Sequence, residues 1–135
     1  MMNGGAISLS SKRHTTTDDS TTAAELTQLH LSSCEMMGLR NLIDEVGLHQ
    51  DLPTTVYQDN KPAVQIALNR GALSKKTRSM CLRVLSVRNK IEDGCIYPVL
   101  ISTDVMLADI GTKPVDITVF QNMRDQINGY KPIKV

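Results

Sequence analysis

The sequence contains no tryptophan, and aromatic residues make up only 3% of its 135 positions. A core of this composition has to rely on aliphatic side chains and methionine, which fit together less specifically than aromatic rings do. A protein that stacks unpaired bases on aromatic side chains is therefore disfavoured. With 41% hydrophobic residues, the length predicts one domain over residues 1–135.

Cysteine is also scarce, and the three cysteines, Cys34, Cys81 and Cys95, include no C-x-x-C pair. This odd, unpaired set disfavours a disulfide framework and a structural zinc site, and it is typical of a reducing compartment. The sequence has no secretory leader and no apolar run near the ~20 residues that a membrane span needs. We therefore expect no membrane partner and an intracellular location, cytoplasmic or nuclear.

Acidic residues are absent from one long stretch, because no Asp or Glu occurs between Asn60 and Ile91. The charged side chains of this stretch are all basic, and they are Lys61, Arg70, Lys75, Lys76, Arg78, Arg83, Arg88 and Lys90. A segment of one charge sign is typical of a surface that follows nucleic-acid phosphates. It is equally typical of a solvated helix face, and the charge pattern alone favours neither interpretation.

The order of hydrophobic patterns predicts an α/β fold with a mixed sheet. Glycine, proline and capping residues separate the elements, and Thr22 and Glu25 form a capping-box pair at the start of the longest helix. The predicted elements are strands at 6–11 and 14–18, a helix at 22–46, a strand at 54–58, helices at 60–69 and 77–90, a strand at 95–102, a short helix at 103–111 and a helix at 115–128.

Helical spacing also predicts which apolar side chains face the core. In the long helix these are Leu26, Leu29, Met36, Leu39, Ile43 and Val46. In the later helices they are Val64, Ile66, Leu68, Leu82, Leu85, Val87, Val119, Met123 and Ile127.

Three carboxylates lie at the ends of predicted elements. Glu25 opens the long helix, Asp59 follows the strand TTVYQ, and Asp109 lies in the short helix of LADIGTKP. Each has a structural explanation, as a helix cap or as a surface residue. Together they also fit a metal site, because converging carboxylates repel unless a cation joins them, and oxygen ligands select Mg²⁺ or Mn²⁺.

Four segments in this order and spacing resemble the ribonuclease H domain of copia-type retrotransposon Pol polyproteins. They are LSSKRHTTTDDSTTAAEL, QDNKPAVQIALN, TRSMCLRVLSVRNKIEDGCI and TDVMLADIGTKPV. The resemblance extends from about Gly4 to about Gly129. The pieces A-E-L, D-N-x-x-A and L-A-D-x-x-T-K-P are short individually, but their ordered combination is specific.

The resemblance implies a five-stranded mixed sheet flanked by helices and cleavage of the RNA strand of an RNA–DNA hybrid with two Mg²⁺ or Mn²⁺ ions. Three of the family's four catalytic, metal-binding acids match Glu25, Asp59 and Asp109. The implied partners are the RNA–DNA hybrid and the remainder of the polyprotein.

The fourth acid of the family lies on the first, central strand, upstream of the Gly-Gly pair. This sequence begins just before Gly4-Gly5, so the expectation is a ribonuclease H-like domain truncated at its N-terminus and lacking that strand. Loss of the strand exposes backbone groups and apolar surface, which favours marginal stability or self-association.

Three functional interpretations follow. The chain is an inactive remnant of a polyprotein ribonuclease H domain, or it is an active hydrolase completed by a missing N-terminal strand. Alternatively, it is a non-catalytic nucleic-acid-binding or interaction module that uses the basic segment 61–90.

Overall fold

The computed structural model describes residues 6–8, 10, 21–69 and 80–132. Its elements are helix α1 (Thr21–Glu45), strand β1 (Thr54–Gln58), helix α2 (Lys61–Ala67), helix α3 (Cys81–Glu92), strand β2 (Ile96–Leu100), two 3-10 turns (Thr103–Val105 and Leu107–Gly111) and helix α4 (Ile117–Ile127). The predicted α/β class is confirmed. None of the described helices is long and apolar enough to span a membrane.

The chain divides into two compact units. The larger unit is Thr17–Leu100, and the smaller unit combines Met1–Thr16 with Ile101–Val135. The larger unit contains α1, α2, α3 and both strands, whereas the smaller unit contains the two 3-10 turns and α4. A single ribonuclease H-like domain over residues 1–135 stays a prediction.

The two described strands are parallel neighbours, with Thr54 opposite Ile96 and Gln58 opposite Leu100. Parallel strands need a long crossover, and α2 and α3 lie between β1 and β2 in the sequence. Strand 54–58 is confirmed at both ends, and strand 95–102 is confirmed in its central part. A mixed sheet of ribonuclease H type stays a prediction.

Two apolar clusters hold the helices of the larger unit together. The first contains Ala23, Leu26, Ala63, Ile66, Met80 and Val84, and the second contains Leu29, Ala67, Val87 and Ile96. Each fully buried Leu, Ile, Val or Met side chain in these clusters contributes ~1.5–3 kcal/mol to folding. The clusters therefore fix α1 against α2, α3 and the start of β2.

The predicted apolar face of α1 is confirmed at its N-terminal half. Leu26 and Leu29 are buried, and all the buried residues of α1 lie between Ala23 and Ser33. Met36, Leu39 and Ile43 are only half-buried. Val46 is 67% exposed, so its assignment to the core was wrong. The cause is that the clustered residues of α2 and α3 pack against the N-terminal half of α1.

Helix α3 presents a face that differs in part from the one predicted, and the assignment of Val87 to the core is confirmed. Val84 and Val87 are each 1% exposed, but Leu82 and Leu85 are exposed, so the prediction was wrong for both leucines. Val84, Val87 and Ile91 follow one another at spacings of three and four, which puts them on one side of the helix. That side packs against the two clusters, and the side with Leu82 does not.

The guanidinium of Arg40 fastens the connection between α1 and β1. Its Nη1 donates to Gln50 Oε1, the Leu52 carbonyl and Thr54 Oγ1 at 3.1, 3.0 and 2.8 Å, and its Nη2 donates to the Gln50 carbonyl at 2.8 Å. These bonds reach the first residue of β1. The position of the strand along α1 is therefore set by one side chain as well as by the core.

The smaller unit packs around two buried methionines, Met106 and Met123. The Ala6 N–H donates to the Ile127 carbonyl at 2.8 Å, which joins the N-terminal residues to the end of α4. No strand occurs at residues 6–8 and 10, so the predicted strand 6–11 was wrong for these positions. The strand predicted at 14–18 lies outside the described residues.

The predicted C-terminal elements are found with small changes. The short helix predicted at 103–111 consists of two 3-10 turns, and α4 begins two residues later than predicted and ends one residue earlier. Met123 is buried and Ile127 half-buried, but Val119 is 40% exposed, so its assignment to the core was wrong. Hydrogen bonds from Arg124 and then Lys131 hold the pKa of Asp125 below its usual value.

Candidate functional site

Glu25 is half-buried in the first turns of α1 and contacts the end of β1. The Gln58 side-chain amide donates from Nε2 to Glu25 Oε2 at 2.6 Å. The predicted capping box was wrong, because Thr22 lies inside the helix and the Glu25 side chain is bound to the strand. Glu25 therefore joins α1 to β1.

Gln58 is the last residue of β1 and is only 8% exposed. It lies on the same strand face as Thr54 and Val56, and Val56 packs on the second apolar cluster. A buried amide without a hydrogen-bond partner destabilises the folded state by ~1–3 kcal/mol. The bond to Glu25 avoids this cost. Local sequence patterns did not single out Gln58, although a glutamine on the same strand face as Val56 indicates that its amide needs a buried partner.

Asn60, and not Asp59, caps α2. Its Oδ1 accepts a hydrogen bond from the Ala63 N–H at 3.0 Å, and its backbone is extended, as a capping residue requires. Asp59 lies between the last residue of β1 and this cap, and it is half-buried. Since the cap belongs to Asn60, capping does not explain a carboxylate at position 59.

Asp109 lies in the second 3-10 turn, within the smaller unit. Its side chain is 14% exposed, and its Oδ2 pairs with Lys113 Nζ at 2.9 Å. Asp109 is therefore partly withdrawn from solvent. The convergence of Asp109 with Glu25 and Asp59 stays a prediction.

The structure brings Glu25 to the same end of β1 as Asp59, because Glu25 binds the residue that directly precedes Asp59. The side chains at this strand end supply carboxylate and amide oxygens, which are the ligand type that Mg²⁺ and Mn²⁺ prefer. The residues therefore fit such an ion in chemistry. Within the described parts of each unit, no group of three or more His, Cys, Asp or Glu residues is arranged to hold a metal.

The described basic residues of segment 61–90 have different surroundings. Lys61 is exposed at the start of α2. Arg88 donates from Nε and Nη2 to the Ile66 carbonyl at 3.0 and 2.7 Å, and Arg83 donates from Nη1 to Thr27 Oγ1 at 3.1 Å. Lys90 Nζ donates to Ser33 Oγ at 2.9 Å. Arg83, Arg88 and Lys90 therefore tie α3 to α1 and to the end of α2.

Four more members of the basic set, Arg70, Lys75, Lys76 and Arg78, lie outside the described residues. Binding of nucleic acid by the set stays a prediction. The three half-buried members already have hydrogen-bond acceptors inside the protein, so a phosphate would have to compete with those contacts.

His30 lies on α1 beside two of these cations. Its Nδ1 is buried and has no hydrogen-bond partner among the described residues, and its Nε2 is 3.9 Å from Cys34 Sγ. Burial, followed by the positive charges of Lys90 and Arg83, lowers the pKa of His30 from its ordinary value of 6.5. The folded protein therefore favours the neutral form of the imidazole more than the unfolded chain does.

This pKa shift predicts a loss of stability in mild acid. The unfolded chain takes up the His30 proton near pH 6.5, whereas the folded chain takes it up only at lower pH. Because the unfolded state binds more protons in this interval, the free energy of unfolding falls as the pH is lowered from about 7 through 6.5. We expect the urea midpoint to drop between pH 7.5 and pH 5.5, and to drop less in His30→Gln. Equal drops in both proteins would show that His30 does not contribute.

The chain is similar to retrovirus-related Pol polyproteins of plant transposons. It is 31% identical over 121 residues, 90% of the chain, to that of transposon RE1 from Arabidopsis thaliana. It is 30% identical over 125 residues, 93% of the chain, to that of RE2 from the same plant, and 31% identical over 124 residues, 92% of the chain, to that of TNT 1-94 from Nicotiana tabacum. The chain spans 8% of the length of the first two relatives and 9% of the third. No family model and no solved structure shows a significant match.

Proposed function

From this similarity to a segment of transposon Pol polyproteins, we propose that the chain derives from the ribonuclease H domain of such a polyprotein. The observation that supports this assignment best is the contact between the A-E-L helix and the strand that precedes D-N. Glu25 Oε2 and Gln58 Nε2 are 2.6 Å apart, so the acids of these two motifs flank one strand end. In α/β sheets, ligands gather at the carboxyl ends of the strands.

The proposed chemistry is hydrolysis of the RNA strand of an RNA–DNA hybrid. Bound divalent cations supply activation of the attacking water and stabilisation of the leaving oxygen. Glu25, Asp59 and Asp109 are proposed as the carboxylates that hold them. The remainder of the polyprotein and the hybrid are the proposed partners.

A polypeptide of residues 1–135 carries three of the four acids that the resemblance implies. We therefore propose that this polypeptide alone is inactive and that a further segment with the fourth acid is needed for cleavage.

Binding of Mn²⁺ tests the proposed site without requiring catalysis. The full chain is expected to bind Mn²⁺, and Glu25→Gln and Asp59→Asn are expected to weaken binding by at least the ~10–100-fold seen when outer-shell partners of metal ligands are removed. The matched control is Glu45→Gln, the same change at the exposed end of α1. Free Mn²⁺ is measured by electron paramagnetic resonance during titration.

Two results would contradict the proposal. One is a full chain that binds no Mn²⁺. The other is equal weakening by Glu25→Gln and Glu45→Gln, which would show non-specific attraction to negative charge in place of coordination at the strand end.

A further inference from the structure

We infer that Gln58 is a positioning residue that holds the Glu25 carboxylate in place for a divalent cation, an inference that rests on the proposed function. The bond from Gln58 Nε2 to Glu25 Oε2 is short, at 2.6 Å, and Gln58 is 8% exposed. The donor is therefore a nearly buried side chain, fixed at the end of β1.

For metal binding, the charge of the group that donates to Glu25 matters more than the strength of the hydrogen bond. A lysine or arginine at position 58 would orient Glu25 but would also neutralise the carboxylate and oppose a metal ion. The side-chain amide of Gln58 is neutral, so Glu25 keeps its negative charge. One hydrogen bond also uses only one of the roughly four lone-pair positions of a carboxylate, and Oε1 remains available as a ligand.

The rigidity of Gln58 comes from its neighbours. Val56, two residues earlier on the same strand face, is packed on the second apolar cluster, and β1 is paired along its length with β2. Residues that orient metal ligands work best when their own conformation is fixed in this way.

Position 58 also links the two acids. Gln58 is bonded to Glu25 through its side chain and is joined to Asp59 through the backbone. Because Glu25 belongs to α1 and Asp59 follows β1, any shift of β1 along α1 would change the spacing of the two carboxylates and would have to break this bond. The strand end sets the spacing of the pair in a way that neither motif does alone.

The test compares loss of this bond with loss of another buried hydrogen bond on α1. Gln58→Met removes the amide and keeps an unbranched side chain of similar length. The control is Ser33→Ala, because Ser33 is 0% exposed and its hydroxyl donates to the His30 carbonyl at 2.7 Å. Gln58→Met is expected to weaken Mn²⁺ binding by ~10–100-fold, as for other outer-shell partners, whereas Ser33→Ala is expected to leave it unchanged.

A second readout separates positioning from general stability. Addition of Mg²⁺ is expected to shift the carboxyl ¹³C resonances of Glu25 and Asp59 in the unaltered chain. In Gln58→Met the Glu25 shift is expected to be lost and the Asp59 shift to remain, because only Glu25 has lost its orienting bond.

The outcomes distinguish the two proposals. If the unaltered chain binds Mn²⁺ and Gln58→Met binds it equally well, or Ser33→Ala weakens binding as much, the role of Gln58 is refuted and the metal site stands. If the unaltered chain binds no Mn²⁺, the proposed metal site and the role of Gln58 both fall.

Discussion

A polypeptide of residues 1–135 is expected to leave the RNA strand of an RNA–DNA hybrid intact in Mg²⁺ or Mn²⁺. The same polypeptide, joined at its N-terminus to the first strand of a copia-type ribonuclease H domain, is expected to cleave it. The reason is that two-metal hydrolysis needs both ions held in place, and residues 1–135 supply three of the four implied carboxylates. Cleavage is measured with a hybrid whose RNA strand carries a fluorescent end label.

The extended polypeptide also carries its own controls. Asp59→Asn, or the equivalent change in the added strand, is expected to abolish cleavage, whereas Asp51→Asn, at an exposed position before β1, is expected to preserve it. Cleavage by residues 1–135 that disappears in Asp59→Asn would overturn the proposed inactivity. An extended chain that folds, binds hybrid and still fails to cleave would argue against a catalytic role for these acids.

Leu29→Ala is expected to destabilise the larger unit by about 2–5 kcal/mol, the usual range for a buried leucine truncated to alanine. Leu29 is 2% exposed and belongs to the cluster that joins α1 to α2, α3 and β2. A small domain has ~5–15 kcal/mol of stability in total, so this change removes a substantial part of it. Urea denaturation followed by circular dichroism measures the difference.

The control is Leu31→Ala, which makes the same chemical change two residues later on α1. Leu31 is 50% exposed, and surface substitutions of this kind usually change stability by less than ~0.5 kcal/mol. Similar losses for both variants would show that the second cluster does not stabilise the unit. Repeating the experiment at several protein concentrations tests the predicted self-association, because the midpoint of an associating protein rises with concentration.

Local sequence patterns were sufficient to predict those elements whose residues all favour the same type of secondary structure. Strand 54–58 has β-branched residues and a clear end at Asp59-Asn60, and α2 follows from the cap and the proline in its first turn. Helix α3 was harder because it carries apolar residues on two sides. Leu82 and Leu85 compete with Val84 and Val87 for the core, and the choice depends on docking against α1, which local spacing does not contain.

In the candidate site, too, local sequence patterns did not predict contacts that depend on tertiary packing. The sequence identified Glu25 and Asp59 as acids at element ends, but it did not decide whether a helix cap explains the acid at position 59. The hydrogen bond from the Ala63 N–H to Asn60 Oδ1 identifies Asn60 as the N-cap of α2. The partners of Glu25 and Arg88, which are Gln58 and the Ile66 carbonyl, lie far along the chain and follow from tertiary packing. No local rule could have predicted them.

The parallel pairing of β1 with β2 has a consequence during synthesis on the ribosome. Helix α1 and strand β1 emerge before α2, α3 and β2, and β2, the neighbour of β1 among the described strands, is complete only once Leu100 has been made. At the usual ~5–20 residues per second, this interval is on the order of a few seconds. During this interval, the backbone N–H and C=O groups of the TTVYQ segment that later bond to β2 lack that partner. Such a segment pairs readily with strands of other chains. Newly made molecules are thus most vulnerable to aggregation before the second strand has left the exit tunnel.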